Sequence, residues 1–270
     1  MGFLRLSIFL TVLSVGPVFS HEFWIEPQQY QVESGAAVHA DLKNGENFKG
    51  ITLAWFENRF TRFETVSGDV VRPVTGRMGD TPALQMSDHP DGLLIVLHET
   101  SAATLTYRDW DRFLKFAAHK DFSAAARMHD DRGWPRAGFR ESYTRHVKSL
   151  IAVGHGRGAD RPFGLATEFT ALTNPYDADF DGQMRVRLTY DGAPRPDAQV
   201  EVFERDAAGN VAVSLLRTDA QGLATVPVKP GHDYLFDAVV LRPSPLAGST
   251  EQAPVWETLW AALTFSVPSR

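Results

Sequence analysis

Cysteine is absent from the 270 residues. That removes disulfides, thiolate metal sites, iron–sulfur clusters and cysteine nucleophiles at once. A bound metal would have to be held by imidazole, carboxylate, amine or water. Basic clusters are also missing: 27 Lys and Arg stand against 33 Asp and Glu, a formal charge of −6. Nucleic acid and anionic membrane surfaces are therefore excluded as natural partners. No Gly-rich segment carries the Lys-Ser/Thr of a phosphate loop; Gly154-His155-Gly156-Arg157-Gly158 reads as a flexible link. The nine histidines form no H-x-x-x-H helical pair, and no serine nucleophile motif is present.

Long apolar runs are equally scarce, and the one that exists lies at the start. Met1–Arg5 is a basic opening, Leu6–Val15 an apolar core, and Val18-Phe19-Ser20 resembles a small-residue cleavage site. A core this short falls below the roughly 20 residues needed to span a bilayer. The pattern predicts a secretory signal peptide over residues 1–20 and a soluble, exported mature chain. Cleavage after Ser20 makes His21 the first residue, whose α-amine and Nδ1 can close a chelate ring on Cu(II), Ni(II), Co(II) or Zn(II). Loss of Arg5 with the leader makes the charge −7.

What remains is patterned mainly as β structure. Val32, Val38/Ala40/Leu42, Ile51–Phe56 and Leu93–Leu97 are strand candidates separated by Ser34-Gly35, Asn44-Gly45, Ser67-Gly68 and Pro90-Asp91-Gly92. They predict an N-terminal β domain over residues 21–107. The period then changes. Thr106 and Asp109 resemble a capping box, and Trp110, Phe113, Leu114 and Ala117 share a helical face. Further helices are expected over Ser123–Met128 and Phe139–Leu150, the latter with a Glu141/Arg145 pair at i,i+4. Residues 108–160 thus read as a helical connector. From Leu165 a second β pattern begins, with alternation over Met184–Tyr190 and tight turns at Gly192 and Gly222. Gly192-Ala193-Pro194, Val200-Glu201-Val202 and Thr218-Asp219-Ala220-Gln221-Gly222 resemble immunoglobulin- or transthyretin-like domains, which implies a C-terminal β-sandwich over residues 161–270. The expected fold is mainly β: two β-sandwich-like domains joined by a short helical segment.

Three motifs in order resemble one family. His21-Glu22-Phe23-Trp24-Ile25-Glu26-Pro27 is similar to the His-Asp/Glu-Phe-Trp-Leu-x-Pro opening of the NikM-like family of periplasmic proteins. Arg140-Glu141-Ser142-Tyr143-Thr144-Arg145 through Leu150 resembles that family's Arg-Glu-x-Tyr-x-Arg-x-x-Lys-x-Leu segment, and Trp260–Phe265 its closing Trp-Ala-x-Leu-Thr-Phe strand. The resemblance implies a periplasmic accessory of nickel or cobalt uptake, with a membrane metal transporter as partner. Many members carry a histidine just before the closing tryptophan, where this chain has Leu259.

The candidate metal ligands are His21, with Glu22 as a nearby oxygen donor and His98, at the end of an apolar strand, as a second imidazole. His39 is expected on a polar strand face. His119, His129, His146 and His155 are expected on solvated helix surfaces or loops, and His232 in a turn. Asp177–Gly182 imitates the start of a calcium loop but has Leu188 where the bidentate glutamate belongs, so it reads as an acidic turn. Asp237 and Glu257 lie inside apolar strands and need cationic partners. The expected role is binding and handling of a divalent transition metal, without catalysis. The alternatives are a histidine-brace copper protein or oxidase, and a metal-free sandwich that binds protein or glycan.

Overall fold

The computed structural model describes residues 21–269; the segment 1–20, expected from sequence to be a signal peptide, lies outside them. The chain is mainly β and forms a β-sandwich stack of three sheets. A ten-stranded sheet runs, edge to edge, through strands Val211–Arg217, Gln199–Arg205, Asp233–Pro243, Trp256–Ser266, Phe139–Val153, Gly92–Thr100, Phe60–Ser67 and Val70–Pro73. Gln31–Val32 and Ala103–Tyr107 also pair with Phe139–Val153. One four-stranded sheet joins Glu22–Pro27, Val38–Glu46, Lys49–Leu53 and Leu84–Met86; the other joins Thr167–Ala171, Gln183–Tyr190, Ala193–Pro194 and Leu223–Pro227.

Alternation along the strands explains the layering. In the large sheet Leu93, Ile95, Leu150, Tyr234, Phe236 and Leu263 point into a core shared with the C-terminal small sheet. Their neighbours Leu94, Val96, Ile151, Leu235 and Ala262 point into a core shared with Phe23, Trp24, Val38 and Leu42 of the N-terminal small sheet. Successive side chains project to opposite faces, and the central strands of the large sheet are buried on both, as along Leu93–Leu97 and His146–Val153.

That double burial is what misleads the reading of Phe139–Leu150 as helix. Those residues begin a fifteen-residue strand, Phe139–Val153, at the centre of the large sheet. Tyr143, Val147 and Leu150 have helical spacing only because a strand buried on both faces shows no two-residue alternation. Among the described residues helix is confined to Trp110–His119, Ala125–Asp131 and a single 3₁₀ turn at Glu57–Arg59. Trp110–His119 starts one turn later than the Thr106 box suggests. Asp109 is its cap, accepting from the Asp111 amide at 3.0 Å, while Thr106 lies in a strand. Phe113, Phe116 and Ala117 face a third core with Tyr107, Phe139, Trp256 and Trp260. Among the described residues no helix is long and apolar enough to cross a membrane.

Candidate functional site

The N-terminal strand Glu22–Pro27 pairs antiparallel with Val38–Glu46, in register Glu22 to Gly45. Alternation directs Phe23 to His98, whose ring lies 5.4 Å away, and Glu22 in the other direction, to Lys120. Lys120 caps the C-terminal end of helix Trp110–His119. Its Nζ lies 2.7 Å from Glu201 Oε2, 3.0 Å from Asp237 Oδ2 and 3.6 Å from Glu22 Oε1. It also stands 4.8 Å from the centre of the Trp260 ring. Glu201 and Asp237 are directly opposed on paired strands, a like-charge juxtaposition that a cation between them must offset. All four charged side chains are buried.

Three carboxylates around one ammonium leave excess negative charge in a desolvated place, and the group responds by holding protons. Burial pushes Glu22 up to about 7, against the attraction of Lys120. Burial likewise raises Asp237. Burial opposes ionisation of Glu201 too, yet His119 and Lys120 hold its carboxyl below the usual range. The hydrogen bond to Glu201 raises His119 in turn, with Nε2 3.2 Å from Glu201 Oε1. For Lys120, burial disfavours the charge but Asp237, Glu201 and Glu22 more than offset it, so it stays protonated.

This cluster forms the inner wall of a 560 Å3 cleft whose lining includes Glu22, Glu46, His119, Lys120 and Glu201. His21 sits beside it. Its ring Nε2 is 3.5 Å from Glu46 Oε1, and its carbonyl accepts from Arg145 Nη2 at 3.1 Å. A carboxylate facing Nε2 occupies that side of the ring and leaves Nδ1 as the nitrogen nearer the backbone and open to another partner.

The structure places the remaining sequence candidates as follows. Glu22 is committed to Lys120. His98 is buried among Phe23, Phe60 and Phe63, its Nδ1 without a hydrogen-bond partner. Burial lowers its pKa to about 3, so the ring is neutral. It does not share a cleft with Glu22, which lies on the opposite face of its strand. Among the described residues no group of three or more His, Asp or Glu side chains is arranged to hold a metal ion.

Two histidines expected in solvent are interior. His129 accepts from Trp256 Nε1 at 3.0 Å and faces the Pro135 carbonyl at 3.1 Å; His146 contacts the Trp260 carbonyl at 3.3 Å from a buried strand position. Asp237 and Glu257 each have the cation they require: Lys120 for the first, Arg242 at 2.6 Å for the second. Asp181 of the acidic turn pairs with Arg185 at 2.7 Å. Sequence reasoning missed Lys120, Glu201 and Arg145. For Glu201 a signal existed, a carboxylate inside the apolar run Val200–Phe203.

No curated protein matches the sequence. Among solved structures, a tetra-tandem repeat from the extending region of a large adhesion protein is 12% identical, over 92% of this chain and 50% of that one, with a TM-score of 0.21. This chain therefore spans half the length of that structure. The D0-D1 domain of intimin is 12% identical over 90% of this chain and 97% of its own, with a TM-score of 0.22. A family model described as "Domain of unknown function (DUF4198)" matches residues 18–242, and the chain belongs to that family.

Proposed function

We propose that the protein is an exported, periplasmic metal-handling accessory that is processed after Ser20 and binds a divalent transition metal, nickel or cobalt, at the amino terminus so exposed. His21 would supply its amine and Nδ1; Glu46 would orient the ring through Nε2; the carboxylates of the cleft wall would favour a cation nearby. The partner would be a membrane component of a metal-uptake system.

The observation that carries this reading is the approach of Glu46 to Nε2 of His21, which leaves Nδ1 as the donor beside the amine. Two further points support it. The first strand begins at Glu22, so the new amine would be one residue from an anchored strand, and Arg145 holds the His21 carbonyl in place. A chelate made of one amine and one imidazole needs no cluster of three side chains, because half of its donors come into being only on processing. The resemblance of the opening, middle and closing motifs to the NikM-like family points to the same ions. Calorimetric titration of the processed protein with Ni(II) and Co(II) tests the proposal: one site is expected, and His21→Ala removes it. Unchanged binding in His21→Ala would contradict it.

A further inference from the structure

On the other side of the N-terminal strand lies a second cavity, of 440 Å3, with walls that include Phe23, Leu42, Leu53 and Phe60. Its size falls within the range of small-molecule sites, about 300–1,000 Å3. Two arginines, Arg59 and Arg145, line it together with His98, and no carboxylate does. In this it is the electrostatic opposite of the acidic cleft.

Arg145 is the unusual member. The interior lysines Lys120 and Lys148 each contact two or more carboxylates within 4.0 Å. Among the described residues no carboxylate is in ion-pair contact with Arg145; Asp237 and Glu141 act on it only from longer range. Its guanidinium is sandwiched among the rings of Tyr143, Phe23 and Trp260, at 4.5, 5.8 and 5.9 Å. One Nη2 bond goes to the His21 carbonyl, the Tyr143 hydroxyl also interacts with the guanidinium, and Nε is buried without a hydrogen-bond partner. His98, 2% exposed, adds a second orphaned polar atom, Nδ1. A desolvated cation and an unpaired buried nitrogen are each costly unless something completes them. Lys120 meets three carboxylates within 4.0 Å, whereas the lining of this cavity offers Arg145 no anion.

We propose that this cavity binds a small organic carboxylate with an apolar body. Its carboxylate pairs with the free edge of Arg145, His98 offers a neutral ring nitrogen beside it, and the phenylalanine and leucine walls enclose the apolar part. A guanidinium presents parallel donors that match a carboxylate, and charge-assisted bonds made in a water-poor site are among the stronger polar contacts. Recognition of this kind discriminates sharply against the uncharged isostere, because an amide leaves the guanidinium unneutralised.

The test uses the processed protein, treated with EDTA, and titrates benzoate, phenylacetate and hexanoate against benzamide and phenylacetamide by calorimetry and ligand-observed NMR. At least one carboxylate should bind about ten-fold or more tightly than its amide, a difference the charged contact readily supplies. Arg145→Gln should remove that preference. Because Arg145 also holds His21, a second variant is needed: Ala102→Phe places a ring at the cavity from an exposed position between two strands and should abolish binding while the protein stays folded. His21→Ala should leave carboxylate binding intact, which separates this site from a metal at the amino terminus. Equal binding of acids and amides, no carboxylate binding at millimolar concentration, binding that needs added metal, or binding unchanged in Ala102→Phe would each overturn the proposal.

Discussion

Replacing Lys120 by methionine would keep the side-chain volume and remove the charge from between three buried carboxylates. The ammonium lies 2.7, 3.0 and 3.6 Å from Glu201, Asp237 and Glu22. Removing one partner from a buried ion pair costs about 3–5 kcal/mol, most of it the penalty of leaving the other charge unpaired. At about 2–4 °C per kcal/mol for a chain of this size, the melting temperature should fall by roughly 10 °C.

The loss should also depend on pH, with a definite sign. Without Lys120 the Glu22 and Asp237 carboxyls rise further above their ordinary values and Glu201 loses one of the groups that hold it down, so the folded protein binds more protons than the unfolded chain. Stability is then fully present below the unfolded-state carboxyl range and is lost as pH rises through the raised folded values. The deficit in Lys120→Met should therefore be larger at pH 8 than at pH 5. Adding Glu22→Gln and Asp237→Asn should recover more than half of it. Urea denaturation and scanning calorimetry at the two pH values measure this. A variant within 1 kcal/mol of the parent at pH 8 (about the scale of an exposed ion pair), or a deficit independent of pH, would refute the reasoning.

Glu141 offers a second test. It is fully buried and accepts from Thr258 Oγ1 at 2.5 Å; burial raises it from 4.5 to about 7, equivalent to about 3 kcal/mol. Folding stability should fall as pH rises from 4.5 through 7, and Glu141→Gln should flatten that slope in pH-dependent urea melts. Glu46→Gln should weaken the proposed metal site about ten-fold without moving the melting temperature, since a carboxylate that orients a ligand typically contributes that much; metal titration beside a melting curve checks both halves. Gly222 has φ +71°, and a Cβ there would stand 2.6 Å from the Leu188 carbonyl oxygen. Gly222→Ala should therefore cost about 1–3 kcal/mol, measurable by urea denaturation.

Several parts of this molecule are legible in the linear chain because their causes are local. Trp110, Phe113 and Ala117 fall on one helical face, and strands such as Met184–Tyr190 alternate openly. Gly222 marks a turn that needs positive φ. The segment Phe139–Val153 is not legible, because sheets cover both its faces and erase the alternation that identifies a strand. Cross-chain pairing is equally hidden. Asp237 inside an apolar strand announces that a cation must exist, but nothing in the sequence says that Lys120, 117 positions away, provides it. Arg145 and Glu141 suggest a helical i,i+4 pair; on a strand they instead go to separate environments, one beside His21 and the other against Thr258. His21 is a candidate through its place relative to the expected cleavage pattern, whereas the role proposed for Glu46 depends on strand pairing.

The most direct test of the functional account compares two forms of the protein, one beginning at His21 and one retaining Ser20, in parallel calorimetric titrations with Ni(II) and Co(II). A site present in the first and absent in the second is the predicted result, because the extra residue removes the amine from the chelate while leaving every side chain in place. Equal binding by both forms, or by neither, would contradict it.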